Sequence, residues 1–418
     1  MKAIITPSPL CGEVNIPSSK SASHRAIISA ALANGTSRVS GVTMSDDIKA
    51  TIGAMKALGA VIEADGDDYV VTGITEPPKS AEIDCGESGS TLRFLVPVAA
   101  ALGVKATFIG HGRLIERPLS AITDLLGFHG VSCQYTSNVN LPLIVDGKMP
   151  AGVYEIGGNV SSQYISGLLF ALAYIGERAE IKLTSALESA GYVEMTISSL
   201  KAFGAKIEKT ENGYNIFPAK LNATDTAVEG DWSQAAFFLA AAALGGDIKI
   251  NGLDKNSVQG DKACLDIFRN IGADINWEGE TLHAKAGELN PVSIDASQIP
   301  DIIPPIAVVL GQCKGQSIIT NAYRLRIKES DRLSAIARGL VVNGISVIET
   351  RDSLCIDGGT LSGGVIDGFN DHRIVMAFSI GAAFAGKQST VTDAEAINKS
   401  YPKFFEDYKA IGGAADVI

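Results

Sequence analysis

Paired cysteines are missing from this chain. Its six cysteines, Cys11, Cys85, Cys133, Cys264, Cys313 and Cys355, are scattered, with no Cys-x-x-Cys among them. That spacing argues against a zinc site and a disulfide framework, and it fits a reducing compartment; the cytoplasm is the expected location. The five histidines, at 24, 111, 129, 283 and 372, show no ligand spacing with cysteine or carboxylate, so no metal is expected. No apolar run reaches the roughly 18 residues of a membrane span. The opening Met1-Lys2-Ala3-Ile4-Ile5-Thr6-Pro7 lacks a signal-peptide core, so no membrane partner is expected. Basic charge is also in deficit. A net charge of -11 disfavours nucleic acid as a partner, although a few cations facing one cleft can still hold small anions. A Gly-x-x-x-x-Gly-Lys-Ser/Thr loop is absent, and Gly86 and Gly89 lack the downstream acid of a dinucleotide fingerprint. Nucleotide-dependent chemistry is therefore disfavoured.

What the chain has is an internal repeat. Its 418 residues, 46% hydrophobic and 19% charged, suit a soluble globular protein of two or three domains. A helical stretch ending in a hydrophobic residue and glycine, followed by a strand, recurs around Gly59, Gly130, Gly204, Gly272, Gly344 and Gly412. The intervals are 71, 74, 68, 72 and 68 residues. A second series, Gly35, Gly103, Gly176, Gly246, Gly315 and Gly386, lies 24 to 29 residues upstream and keeps intervals of 68, 73, 70, 69 and 71. Glycine after a helix is the usual left-handed stop, so both series predict helix ends. Each unit reads as an apolar helix, a strand, an amphipathic helix and a two-stranded segment such as Val61 to Thr72. Turn residues such as Asn212-Gly213 separate its strands. Six units predict an α/β (α+β) protein of two lobes with three units each, divided near Thr224 to Gly230.

The starts of the six apolar helices are polar. They carry Ser18-Ser19-Lys20-Ser21 with Arg25, Glu87-Ser88-Gly89-Ser90-Thr91 with Arg93, Ser161-Ser162-Gln163, Asp231-Trp232-Ser233-Gln234, Asp301, and Asp371-His372-Arg373. Capping explains the Ser and Asp residues, and it accounts for Asp231-Trp232-Ser233 in full. It does not explain Lys20, Arg25, Arg93 or Arg373, because the macrodipole disfavours cations in a first turn. Backbone N–H groups, the dipole and a cation together suit a phosphate or carboxylate. Two further cationic runs, Arg113 to Pro118 and Arg324 to Arg332, occupy corresponding places in the second and fifth units. A solvated charged turn is the bland account of each.

These motifs resemble those of the 5-enolpyruvylshikimate-3-phosphate synthases. The resemblance rests on Ser18-Ser19-Lys20-Ser21-Ala22-Ser23-His24-Arg25, Gly89-Ser90-Thr91-Leu92-Arg93, Glu116-Arg117-Pro118-Leu119, Ser161-Ser162-Gln163, Ile299-Pro300-Asp301, Arg326 to Arg332, Asp371-His372-Arg373 and Lys399-Ser400-Tyr401-Pro402, in order along the chain. It implies an inside-out barrel of two lobes, each with three βαβαββ units in pseudo-threefold arrangement. It also implies that the first strand crosses over, giving lobes of 1–16 with 229–418 and of 17–228. The implied substrates are shikimate 3-phosphate and phosphoenolpyruvate, with no cofactor, and a monomer is expected.

Carried over by position, Ser21, Arg25, Ser161, Ser162, Ser189, Asp301 and Lys328 are implied to hold shikimate 3-phosphate. Gly89, Arg117, Arg332, Arg373 and Lys399 are implied to hold phosphoenolpyruvate, and Lys20 and Gln163 to touch both. The reaction needs an acid and a base: Asp301 is the expected base, Glu329 the expected acid, and Lys20 assists. Glu87-Ser88, Arg324 and Ser189-Ala190-Gly191-Tyr192 depart from the family pattern. Two rival readings are a UDP-N-acetylglucosamine enolpyruvyl transferase and a non-catalytic anion-binding repeat protein. The first expects a cysteine within His111 to Pro118, which has none, and Asn where Ser21 stands. The second leaves Asp301 and Glu329 unexplained.

Overall fold

The structure is a computed structural model describing residues 1–418. Its twelve α-helices alternate between two kinds, in the order the repeat predicts. They are α1 (Lys20–Leu32), α2 (Asp46–Ala57), α3 (Gly89–Leu102), α4 (Ser120–Phe128), α5 (Ser162–Ile175) and α6 (Ala190–Ala202). There follow α7 (Trp232–Leu244), α8 (Cys264–Ile271), α9 (Ile303–Leu310), α10 (Arg332–Val342), α11 (His372–Ala383) and α12 (Phe404–Ala410). The odd-numbered helices are apolar and sit in the cores; all thirteen residues of α7 are buried. The even-numbered helices keep a polar face, as expected for elements that cover a core.

The chain separates into two compact units, Ser18–Val228 (the N lobe) and Met1–Pro17 with Glu229–Ile418 (the C lobe). Each has its own hydrophobic core. Each lobe holds three four-stranded sheets, and all six sheets share one strand order. In Val153–Ile156, Ala179–Leu183, Gly213–Phe217, Lys206–Thr210, for instance, the first pair is parallel and the others antiparallel.

Three sheets borrow a strand from elsewhere in the chain. Cys11–Asn15, which precedes α1, pairs in parallel with Asp247–Asn251 of the C lobe. The corresponding place beside Thr36–Ser40 in the N lobe is filled by Thr226–Ala227. Lys2–Thr6 lies between Ser389–Thr392 and Ala414–Val417, completing the sixth sheet. The expected single crossing strand is thus two strands, and the two strands leading into α1 and α7 have exchanged places.

The first glycine series behaves uniformly: Gly59, Gly130, Gly204, Gly272, Gly344 and Gly412 all have positive φ, from 81° to 121°. No other residue reaches that region without strain, which explains the strict period. The second series departs from expectation at two members, because Gly246 and Gly386 are not left-handed. Gly245 (φ 143°) caps α7 instead, and Phe384 caps α11. The hairpin turn predicted at Asn212-Gly213 is shifted by one residue: Gly213 already begins a strand, paired with Thr210.

Candidate active site

In the N lobe, α1, α3 and α5 begin with serine caps. Ser19, Ser88 and Ser161 accept hydrogen bonds from the backbone N–H groups of Ala22, Thr91 and Gln163 at 3.3, 3.2 and 3.3 Å. The capping account of these serines is therefore correct, and it leaves the cations to be explained. Arg25 is buried. Its Nε donates to Thr196 Oγ1 (2.8 Å), and its two Nη atoms donate to the carbonyls of Ser21 (2.6 Å) and Tyr192 (2.8 Å). The guanidinium lies 5.1 Å from the Phe94 ring centre, and burial lowers its pKa to about 10. Arg93 donates to Gln163 Oε1 (2.7 Å), whose Nε2 donates to Ser90 Oγ (2.9 Å). Gly167 permits that approach, since a Cβ there would stand 2.5 Å from the Arg93 carbonyl.

Neither Arg25 nor Arg93 has a carboxylate partner. Lys20 does: its Nζ is 2.7 Å from Asp47 Oδ2. Arg117, also buried, lies against the first residue of α3, and a Cβ on Gly89 would fall 2.6 Å from its Nη1. Ser161 and Ser162 are buried at the start of α5. Ser189 precedes α6 in the left-handed region (φ 53°, ψ 44°), a conformation that costs a non-glycine residue about 1–3 kcal/mol. Such strain is consistent with a residue held for a purpose other than packing.

The C lobe gathers its predicted residues into one ion cluster. Asp301 Oδ1 accepts from Lys328 Nζ (3.1 Å) and Arg332 Nη1 (2.8 Å), and its Oδ2 is 3.6 Å from Arg373 Nη2. Arg332 also reaches Glu329 Oε2 (2.5 Å) and Asp371 Oδ2 (2.8 Å). Burial would lower the pKa of Arg332, but the carboxylates of Asp371, Glu329 and Asp301 outweigh it and hold the cation firmly charged. Lys328 differs: burial lowers its pKa to about 8, opposed by Asp301 and assisted by Arg324 and Arg332. Lys399 Nζ donates to the Asn370 carbonyl (2.7 Å), next to Asp371 at the start of α11. Asp301 itself is not a cap. Ile302 occupies that place with no side-chain bond, which leaves the Asp301 carboxylate to the cations.

The cationic runs divide. Arg113 is exposed, and Arg326 is a structural tie to Asp331 (2.9 Å) and Glu349 (2.8 Å), so the bland account holds for both. Arg117, Lys328 and Arg332 are drawn inward. The fourth repeat builds no such site. Gln259 donates to the Gly230 carbonyl (2.8 Å) and accepts from Trp232 N–H (3.2 Å), so a neutral side chain closes the start of α7.

Asp47 and Asp371 were not among the predicted site residues. The repeat held a signal for Asp47. It stands 12 residues before Gly59, as Arg332 stands 12 before Gly344, while Arg117, Gln259 and Lys399 stand 13 before their glycines. That register marks the side chain which reaches back to the buried helix of the same repeat. In the first and fifth repeats the resulting ion pairs, Lys20–Asp47 and Asp301–Arg332, have opposite polarity.

Comparison with known proteins agrees with this arrangement. The model of the EPSP synthase (3-phosphoshikimate 1-carboxyvinyltransferase) family matches residues 4–408. The 3-phosphoshikimate 1-carboxyvinyltransferase of Clostridium novyi is 43% identical over 427 residues, covering 99% of this chain and 98% of that one. That of Clostridioides difficile is 44% identical over 430 residues, with the same coverage. The solved EPSP synthase of Acinetobacter baumannii superimposes with a TM-score of 0.83 at 26% identity, covering 100% of both chains. The chain therefore belongs to the EPSP synthase family and carries its activity, transfer of the enolpyruvyl group of phosphoenolpyruvate to shikimate 3-phosphate.

Proposed function

We propose that the clustered residues divide the work of this transfer as follows. Shikimate 3-phosphate is held by Ser21, Arg25, Ser161, Ser162, Ser189, Asp301 and Lys328, phosphoenolpyruvate by Gly89, Arg117, Arg332, Arg373 and Lys399, and both by Lys20 and Gln163. One observation carries this reading. Arg25 and Arg93 are buried cations at capped helix starts with no carboxylate partner, in a chain whose net charge is -11. A buried charge without a counter-ion is costly, and a bound phosphate or carboxylate removes that cost.

Asp301 removes the proton of the 5-hydroxyl as that oxygen attacks the carbon bearing the phosphate. Glu329 delivers a proton to the methylene, giving a tetrahedral adduct that then expels phosphate. The Arg332 pairing supplies a trigger. Three carboxylates share this guanidinium, so an arriving substrate carboxylate competes with Glu329 and frees it to carry a proton. Six free cysteines support action in a reducing, cytoplasmic setting.

The test is phosphate release with each substrate alone and with both. Release that requires both, together with a raised KM for shikimate 3-phosphate in Arg25→Gln, supports the assignment. An unchanged KM in that variant refutes the role of Arg25.

A further inference from the structure

Helices α1 and α2 are joined by two rungs of equal spacing. Lys20 and His24, one turn apart on α1, face Asp47 and Thr51, one turn apart on α2. Lys20 Nζ to Asp47 Oδ2 is 2.7 Å, and His24 Nδ1 to Thr51 Oγ1 is 2.7 Å. The second rung continues into α3: Thr51 Oγ1 is 2.7 Å from Thr91 Oγ1, and the Thr91 hydroxyl donates to Ser88 Oγ at 2.8 Å. All four side chains are buried.

The proton order along this chain is determined. Thr91 gives its only hydroxyl proton to Ser88, so its oxygen accepts from Thr51. Thr51 has then used its proton, and its oxygen accepts from Nδ1–H of His24. The arrangement calls for a neutral imidazole. Burial, aided by the Lys20 and Arg25 charges, lowers the pKa of His24 and favours that form.

Capping does not need this chain, because Ser88 already accepts from Thr91 N–H without help from Thr51. Helix packing does not need it either, since Ile28, Ile48, Ile52, Leu92 and Leu95 share one apolar core there. What directional bonds add to an apolar contact is a fixed register between elements. The two elements tied are the first turn of α1, with Lys20, and the first turn of α3, with Gly89.

We propose that Thr51 is a positioning residue for the transfer reaction: through His24 and Thr91 it sets the α3 start against the α1 start and so sets the affinity for phosphoenolpyruvate. The proposal rests on the reading that Gly89 and Arg117 hold that substrate. Shikimate 3-phosphate depends less on the chain, because Arg25 ties α1 to α6 independently.

The experiment is steady-state kinetics on the full chain with Thr51→Val, which keeps the shape and removes both bonds, and Thr51→Ser, which keeps the hydroxyl. In Thr51→Val, KM for phosphoenolpyruvate should rise about tenfold, with KM for shikimate 3-phosphate and kcat changing less than about threefold. Thr51→Ser should restore the KM. The double variant with Thr91→Val should be no worse than either single one, because both break the same chain. If Thr51→Val fails to fold, Thr91→Val carries the same test.

Unchanged KM values in Thr51→Val, with or without a lower Tm, overturn the proposal, as does a Thr51→Ser variant as impaired as valine. Arg117→Met is the control. If it raises KM for phosphoenolpyruvate and Thr51→Val does not, only the positioning role fails. If neither does, the site assignment fails with it.

Discussion

Replacing Gly89 with alanine should separate substrate binding from folding. Gly89 is the first residue of α3 and does not have a positive φ, so its backbone accepts an alanine. In a helix that exchange favours folding by up to about 1 kcal/mol. The added methyl, however, would stand 2.6 Å from Arg117 Nη1, 3.0 Å from its Cζ and 3.2 Å from its Nη2. Ordinary contact begins near 3.4 Å, so the guanidinium must retreat by about 0.8 Å, the difference between 3.4 and 2.6 Å. It can do so cheaply, as the far end of a flexible side chain. The cost falls instead on any anion the guanidinium was placed to meet. A displacement of this size at a binding group is worth about 10- to 100-fold. We expect KM for phosphoenolpyruvate to rise within that range, kcat to change little, and Tm to hold or increase. Initial-rate phosphate release at varied phosphoenolpyruvate, with differential scanning fluorimetry alongside, measures all three. A fall in Tm with an unchanged KM would refute the reasoning, because it would make the Gly89–Arg117 contact a matter of packing.

Three further outcomes are expected. Lys328, with its pKa lowered by burial to about 8, is charged below that pH and neutral above it, so affinity for shikimate 3-phosphate should weaken as pH rises through about 8. Lys328→Arg should remove that limb from the pH profile of kcat/KM. Asp301→Asn and Glu329→Gln should each lower kcat by about 10²- to 10⁴-fold while circular dichroism stays native, and a kcat within threefold of the parent in either would remove that residue from the chemistry. His283 lies between Asp247 (2.6 Å) and Glu278 (2.7 Å), and those hydrogen bonds raise its pKa above the ordinary 6.5. Its stabilising effect is then full below about pH 6.5 and fades as pH rises through the higher folded-state value. His283→Gln should accordingly lower Tm at about pH 5.5 and leave it nearly unchanged at about pH 9, as thermal melts would report.

The repeat was legible because it depends on a local constraint. A left-handed stop demands glycine, and the series from Gly59 to Gly412 meets that demand six times. Where the stop could be made another way the reading slipped, as at Gly245 and Phe384. The cations at the helix starts were legible for the opposite reason: they contradict the local preference of a first turn, and something non-local had to account for them. Their partners were not legible. Whether Lys20 meets Asp47 or Asp301 meets Arg332 is decided by how two helices of one repeat pack, and residue type alone is silent on it. The exchange of Cys11–Asn15 with Thr226–Ala227 was hidden likewise, since both strands are short and either would suit a parallel edge.

That exchange has a consequence for synthesis. Every strand of the three N-lobe sheets lies between residues 18 and 228, so that lobe can close as soon as this stretch has left the ribosome. The strands Lys2–Thr6 and Cys11–Asn15 must wait for partners at Asp247–Asn251, Ser389–Thr392 and Ala414–Val417. At about 5–20 residues per second, Lys2–Thr6 stays unpaired for roughly 20–70 s while the rest is translated. Among the first residues made, these are among the last to be buried.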